Sequence, residues 1–369
     1  MTEMKKKVAI QTLQLVNNYG GILQAFALQH ALGKLGCDVV MLNRYNKATG
    51  FVLNLKIVVS RFINRRLHKV TDNVNKKYTH FLNKRINLTQ PLLSKKHWEH
   101  YILSNNFDAV IVGSDQVWRL EYVNSLSPEF FLDFKKGKIK KASYAASFGI
   151  ETFNAESKDE IQRMLQQFDG ISVREDAGLR IIENNFALKG FHHLDPTLLL
   201  TQEEYIEAFD LDKTDIRNSI FCYVLDKSTT KQDIIHQVQN LLNKDVDFVY
   251  GAGVSKDNYT DSDMLKKPSI EQWIQNIASA SFVITDSFHG MMFSVIFNKP
   301  FIVIGNEKRG LSRFTSFLTK MNLEERLVVL KHPIIEKNLL IKDIDYNRVN
   351  DLIEKERQIS YQYLNSILQ

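Results

Sequence analysis

Five short polar segments, each directly after an apolar run, hold the residues whose types could do chemistry. Asn18-Tyr19-Gly20-Gly21 stands before a helical pattern. Two glycines there let backbone N–H groups approach an anion at a helix N-terminus, although the same turn also serves plain packing. Gly113-Ser114-Asp115-Gln116-Val117-Trp118 follows a second run. Ser114 and Asp115 can hydrogen-bond a ligand and Trp118 offers a flat face for a sugar; the alternative makes Asp115 a helix cap and Trp118 core. Ser172-Val173-Arg174-Glu175 ends another run. The Arg174 guanidinium suits a carboxylate or phosphate, which it binds bidentately without losing charge; a salt bridge to Glu175 or Asp176 is the competing reading.

The fourth segment is Thr285-Asp286-Ser287-Phe288-His289-Gly290. Its strand–turn–helix pattern puts His289 at a helix N-terminus, where it can contact an anion and move protons near neutral pH, with Ser287 as a further ligand. Asp286 is a candidate to orient that histidine, as is Asp115, and either carboxylate could instead accept a hydroxyl proton. The fifth, Gly305-Asn306-Glu307-Lys308-Arg309, leads on to Arg313. Asn306, Arg309 and Arg313 are candidate phosphate contacts, with surface solvation the alternative for each.

Signatures that would name other chemistry are missing. The chain has no G-x-x-x-x-G-K-[ST], no G-x-G-x-x-G after its first strand, no H-E-x-x-H and no G-x-S-x-G. No ligand spacing for a metal is present, so neither a metal nor a cofactor is expected. The residues alone point to an α/β transferase that handles an anionic small molecule.

Short apolar strands alternating with amphipathic helices must position these segments, which predicts parallel sheets covered on both faces. Strands are expected at Val8 to Leu13, Asp38 to Leu42, Ala109 to Val112, Ala142 to Ala146 and Ile171 to Val173. A second series is expected at Ile220 to Leu225, Phe248 to Tyr250, Phe282 to Thr285 and Phe301 to Ile304. Single cores stop growing near roughly 250–300 residues, so a chain of 369 residues predicts two doubly wound, Rossmann-like domains facing a cleft. The expected division is 1–200, carrying a basic insertion at 46–95 on the acceptor side, and 201–345 on the donor side. A helix over 346–369 would cross back onto the first domain.

The net charge is +6, unevenly spread. Between Phe51 and Lys96 the basic residues, among them Arg65, Arg66 and Lys69, face a single acid, Asp72, with apolar residues mixed in. Region 51–96 therefore reads as a surface for peripheral contact with an anionic membrane, or as a solvated helical insertion. No aromatic-rich basic module accompanies it, so nucleic acid is not an expected partner. The opening residues show no secretory signal and no apolar run approaches the roughly 18 residues of a spanning helix. Cys37 and Cys222 lie far apart in apolar sequence and read as reduced, buried thiols. A cytoplasmic protein, either free or peripheral at the inner face of the membrane, is the expectation.

Taken in order, the segments resemble the polysaccharide pyruvyl transferase family. The resemblance rests on NNYGGILQAFALQHAL (17–32), FDAVIVGSDQVW (107–118), KASYAASFG (141–149), ISVRE (171–175), LDPTLLL (194–200) and FVITDSFHGMMFSVIFNKPFIVI (282–304). It implies a GT-B-like fold, like that of glycosyltransferases with two Rossmann domains, with phosphoenolpyruvate as donor. The acceptor it implies is a sugar of a cell-surface polysaccharide such as a capsule or exopolysaccharide, polymeric or lipid-linked, and the product a cyclic pyruvate ketal. By the same resemblance Arg174 and His289 contact the donor. One departure stands out: many members carry arginine or lysine where this chain has Ser287, so Arg309 or Arg313 would have to supply that charge. Two other functions remain open: a glycosyltransferase using a nucleotide sugar, and a non-catalytic glycan- or lipid-binding protein on the same fold.

Overall fold

Two all-parallel sheets, each crossed by helices, meet along the edges where their strands end. The computed structural model describes residues 5–16, 18–44, 76–123, 127–135, 137–154, 156–251, 267–305, 310–329 and 335–369. In the first sheet β1 (Lys7–Gln11), β2 (Asp38–Met41), β3 (Ala109–Val112) and β4 (Lys140–Ser143) run in the order β2-β1-β3-β4. Single bridges Ala142–Gly170 and Ala146–Val173 link this sheet to a parallel pair, β5 (Ser172–Val173) and β6 (Phe191–His192). The second sheet holds β7 (Ile220–Val224), β8 (Val246–Tyr250), β9 (Phe282–Thr285), β10 (Phe301–Ile304) and β11 (Leu327–Val328) in the order β11-β10-β9-β7-β8.

Strand order reverses beside β1 in one sheet and beside β7 in the other. The crevices outside the carboxyl ends of β1 and β3, and of β7 and β9, are therefore where this architecture receives ligands. β3, β9 and β10 are buried along their whole length, as continuous apolar runs require when helices cover both faces.

The helices that matter to the cleft are α1 (Tyr19–Lys34), α2 (Lys95–Ser104), α3 (Lys158–Leu165), α4 (Gln202–Phe209), α5 (Thr229–Leu242), α6 (Ile270–Ser279), α7 (Phe288–Ile296), α8 (Ser312–Met321) and α9 (Tyr346–Leu368). Asn18 caps α1, its side chain accepting from the Gly21 N–H at 3.2 Å. Ser287 caps α7 in the same way, from the Gly290 N–H at 3.3 Å. Both helices are buried for most of their length because they lie between the sheets, and one hydrophobic cluster runs through α1, α6 and α7 without a break. The Tyr19 ring stacks on Trp273 of α6 with centroids 5.0 Å apart. Helix α9 crosses back to the first sheet, where the Tyr363 hydroxyl donates to the Ser143 carbonyl at 2.8 Å.

Element positions follow the apolar pattern closely; β3, β9 and β10 have the expected bounds. Among the described residues, the apolar pattern set no expectation for β6 and β11, two residues each, for α4 and α8, or for the shorter helical turns such as Leu120–Val123 and Asp176–Arg180. Cys37 and Cys222 are buried free thiols.

Candidate active site

Loops from both sheets bring one buried cluster of charge into the crevice. Arg174 leaves the end of β5, and Asp195 follows β6 as the cap of a short 3-10 turn at Pro196–Leu199. The Arg174 Nη1 donates to Asp195 Oδ2 at 2.8 Å, and the Ser114 hydroxyl after β3 donates to the same oxygen at 3.2 Å. Asp195 Oδ1 takes the Thr197 N–H at 3.0 Å and its hydroxyl at 2.7 Å. From the second sheet, His289 in the first turn of α7 brings Nε2 to 3.5 Å from Asp195 Oδ2. Asp195 is thus the hinge of the site, its carboxylate shared by an arginine of one sheet and a histidine of the other.

The electrostatics agree with that geometry. Burial alone would raise the Asp195 carboxyl, but His289 and Arg174 outweigh it and hold the group well below the usual carboxylate range. Burial works against the Arg174 charge, while Asp195, Asp115 and Glu175 together keep it firmly protonated. Asp115 Oδ1 lies 3.8 Å from Arg174 Nη2, and Glu175 Oε2 lies 3.9 Å from Nε. Neither distance is a hydrogen bond. Arg174 Nε and Nη2, and likewise His289 Nε2, are buried without a hydrogen-bond partner. Buried polar atoms are normally satisfied, and an unmade bond costs about 1–3 kcal/mol, so three together mark a site built for a ligand. Nε and Nη2 form one edge of the guanidinium, the fork that fits two oxygens of a carboxylate or phosphate.

Phe288 ties in a second arginine. Its ring lies 4.6 Å from the Arg174 guanidinium carbon and 5.6 Å from that of Arg313, which α8 carries in from the second sheet. Burial, with repulsion from Arg174, pushes the Arg313 guanidinium down to about 10, against the pull of Asp115 and Glu175. Two buried like charges flanking one ring favour an anion between them. The N-termini of α1 and α7 add favourable potential. Gly20 is what lets them converge: a Cβ there would collide with the His289 ring. A Cβ on Gly21 would come within 3.4 Å of Asp115 Oδ2, which places that carboxylate beside the start of α1.

Around the cluster the loops are pinned. Glu175 Oε1 accepts from the Ser147 hydroxyl, the Phe148 N–H and the Gly149 N–H at 2.9, 3.0 and 3.1 Å. Gly149 in turn meets the second sheet, where Gly310, with φ +88°, has no room for a Cβ against the Gly149 carbonyl. Asp115 itself sits at φ +77°, a left-handed conformation that costs energy outside glycine and gathers at functional sites.

Several expected site residues stand elsewhere. Asp286 does not orient His289: its Oδ1 accepts the Leu225 N–H at 2.6 Å and its Oδ2 the Lys231 ammonium at 2.5 Å, which turns the carboxylate away from the histidine. The group that faces His289 is Asp195, which the sequence placed in the LDPTLLL segment without marking it as a site residue. Trp118 is no sugar platform, because it is fully buried, donates to the Phe130 carbonyl at 3.0 Å and stacks on Phe131 at 5.5 Å. Tyr19 is likewise core, its hydroxyl donating to the Pro268 carbonyl at 2.8 Å. Asn18 and Ser287 cap helices beside the cluster. Gly20, Gly21, Ser114, Asp115, Arg174, His289 and Arg313 are brought together. Asn306 and Arg309 lie outside the described residues, as do residues 51–75 of the basic region.

Rossmann-like sheets whose carboxyl ends converge on a shared cluster of buried charge define a fold of the GT-B type. One solved structure agrees on the fold. UGT73P12 of Glycyrrhiza uralensis, in complex with glycyrrhetinic acid 3-O-monoglucuronide, is 9% identical with a TM-score of 0.54, over 99% of this chain and 96% of that one. The UDP-GlcNAc 2-epimerase of Methanocaldococcus jannaschii is 12% identical with a TM-score of 0.48, over 95% and 92%. The UDP-N-acetylglucosamine 2-epimerase of Rickettsia bellii is 11% identical with a TM-score of 0.49, over 98% and 98%. No curated relative matches the chain. The family model described as polysaccharide pyruvyl transferase matches residues 18–308. The chain belongs to the polysaccharide pyruvyl transferase family. Among the described residues, no helix is long and apolar enough to cross a membrane.

Proposed function

We propose that the protein transfers the pyruvyl group of phosphoenolpyruvate onto two hydroxyls of a sugar in a cell-surface polysaccharide or its lipid-linked precursor. The observation that carries this reading is the buried Arg174 edge, Nε and Nη2, lying without hydrogen-bond partners beside the orphaned His289 Nε2. Phosphoenolpyruvate offers a carboxylate and a phosphate on adjacent bonds, a match for one guanidinium fork with a second arginine, Arg313, nearby. Arg313 takes the place of the cation that the turn at Ser287 lacks. The nucleotide-sugar alternative gains nothing from the solved structures, whose likeness is one of fold.

In the reaction, His289 gives its proton to the methylene carbon of the donor, leaving positive charge on the neighbouring carbon and its oxygens. The first sugar hydroxyl attacks that carbon and passes its proton to Asp115, whose carboxylate stands beside α1. The bond from carbon to the phosphate oxygen then breaks, with Arg174 and Arg313 stabilising the negative charge that builds on the leaving phosphate. The second hydroxyl closes the ketal and gives its proton to the departing phosphate, which leaves as the hydrogen phosphate dianion, while the proton on Asp115 returns through solvent to His289. Asp195 holds Arg174 and His289 in register throughout, so it positions them and does not touch the substrate.

Phosphate release from phosphoenolpyruvate, with a panel of galactose, mannose and N-acetylhexosamine acceptors and lipid-linked saccharides, tests this reading. The expected result is acceptor-dependent release and a product heavier by pyruvic acid less one water. Binding and turnover of a nucleotide sugar with no response to phosphoenolpyruvate would replace it.

A further inference from the structure

Trp118 is buried, which leaves open what holds the acceptor sugar. The loop that buries it ends in a different aromatic. Arg119 follows directly, and its guanidinium carbon lies 4.6 Å from the centre of the Tyr122 ring, on the short helical turn Leu120–Val123. That guanidinium is itself fixed. Nη1 donates to Gln116 Oε1 at 3.0 Å, while Nε and Nη2 donate to Glu121 Oε2 at 3.1 and 2.9 Å. The Arg119 side chain is 11% exposed, yet Tyr122 above it is 45% exposed. Tyr122 is among the few large hydrophobic side chains of the described residues that face solvent.

Its place in the molecule ties it to the cleft. Gln116, which holds Arg119, is the residue after Asp115 and packs against Gly149, so the support runs directly into the wall of the charge cluster. One face of the ring is covered by a guanidinium whose charge Glu121 matches, and the other is turned outward. A tyrosine fixed in this way presents a large apolar face at little cost in side-chain entropy, and its hydroxyl remains able to hydrogen-bond.

We propose that Tyr122 is the platform on which the acceptor pyranose stacks, its C–H-bearing face on the exposed side of the ring, with Arg119 as the positioning residue beneath. The inference rests on the reading of the cleft as a pyruvyl transfer site, and it names the residue that selects the acceptor there. Saccharides whose ring carries contiguous axial and equatorial C–H groups on one face are the class it favours. Asp115, one residue before Gln116, then lies within the same loop to receive the hydroxyl proton.

The test compares wild type, Tyr122→Ala and Tyr122→Phe in two titrations, one with the same saccharide panel followed by saturation-transfer NMR, the other with phosphoenolpyruvate followed by calorimetry. Saccharide affinity is expected to fall about tenfold in Tyr122→Ala and to be retained in Tyr122→Phe, while phosphoenolpyruvate binds all three alike. Unchanged saccharide affinity in Tyr122→Ala overturns the platform and leaves the donor reading standing. A wild type that binds no saccharide of the panel overturns it as well. Saccharide binding that depends on Tyr122, in a protein that does not bind phosphoenolpyruvate, sinks the pyruvyl reading and keeps the platform.

Discussion

Two buried pairs of opposite charge stand at the ends of the strands, and they differ in what is left over. In the second sheet Lys231 meets Asp286 at 2.5 Å and the Asp226 carbonyl at 3.0 Å, and the other Asp286 oxygen takes the Leu225 N–H. Every charged atom of that pair has a partner. Burial still raises the Asp286 carboxyl, with Lys231 and the Leu225 N–H pulling against it. Between the sheets, Arg174 meets Asp195 at 2.8 Å but keeps two donors without hydrogen bonds, and His289 Nε2 is without one as well. A pair that satisfies itself fastens a loop, whereas a pair that leaves aligned donors unused is arranged for something that arrives from outside.

The largest effect should come from breaking the satisfied pair. Lys231→Met leaves Asp286 buried and uncompensated, and is expected to lower stability by about 3–5 kcal/mol in denaturant titration. Turnover per folded molecule should stay near wild type. Loss of turnover with unchanged stability would mean that this pair belongs to the chemistry, and the contrast between the two would fail.

For the open cluster the expectation is reversed. His289→Ala and Arg174→Ala should each lose at least ~10²-fold in turnover, the usual scale for removing a proton-transfer or charge-stabilising group. Near-wild-type turnover in the histidine variant would remove His289 from the mechanism. Gly20→Ala sharpens the point without touching a charged group. Its methyl would push the His289 ring aside, and a displacement of about 1 Å at a reacting group costs on the order of tenfold or more in turnover. If activity survives in that variant, the position of His289 is less critical than the geometry requires.

The smallest effect concerns acid. The folded-state pKa of Asp195 is held below its unfolded value, so its contribution to stability is complete above the unfolded pKa of about 3.9 and is lost as pH falls through and below it. Asp195→Asn should therefore show a shallower loss of stability than wild type as pH falls from about 4 to about 2, the gap between the two curves narrowing without closing over that range. Parallel curves would mean that the carboxylate gains nothing from Arg174 and His289.

How much of this was legible beforehand depended on the range of the signal. The strands Ala109–Val112, Phe282–Thr285 and Phe301–Ile304 are apolar runs ended by polar turns, and local pattern suffices to bound them. The two-residue strands β6 and β11 exist only through pairing with a neighbour, which no local pattern carries. Arg174 and His289 were recognisable because charged side chains stood at strand ends. Asp195 was hidden by its own local role: an aspartate before Pro196 reads as a cap, and it does accept from the Thr197 N–H. Only the approach of the second sheet gives its other oxygen to Arg174 and His289. Trp118 and Tyr122 show the same limit, for two aromatics in one loop look alike until packing buries one and exposes the other.

Calorimetric titration of phosphoenolpyruvate into wild type and into Arg174→Ala tests the central claim most directly. The account expects saturable binding to wild type, and an affinity lower by at least about tenfold in the variant, since a charge-assisted bidentate contact contributes well over 1.4 kcal/mol. Equal affinity in both proteins, or no binding to wild type, would contradict it.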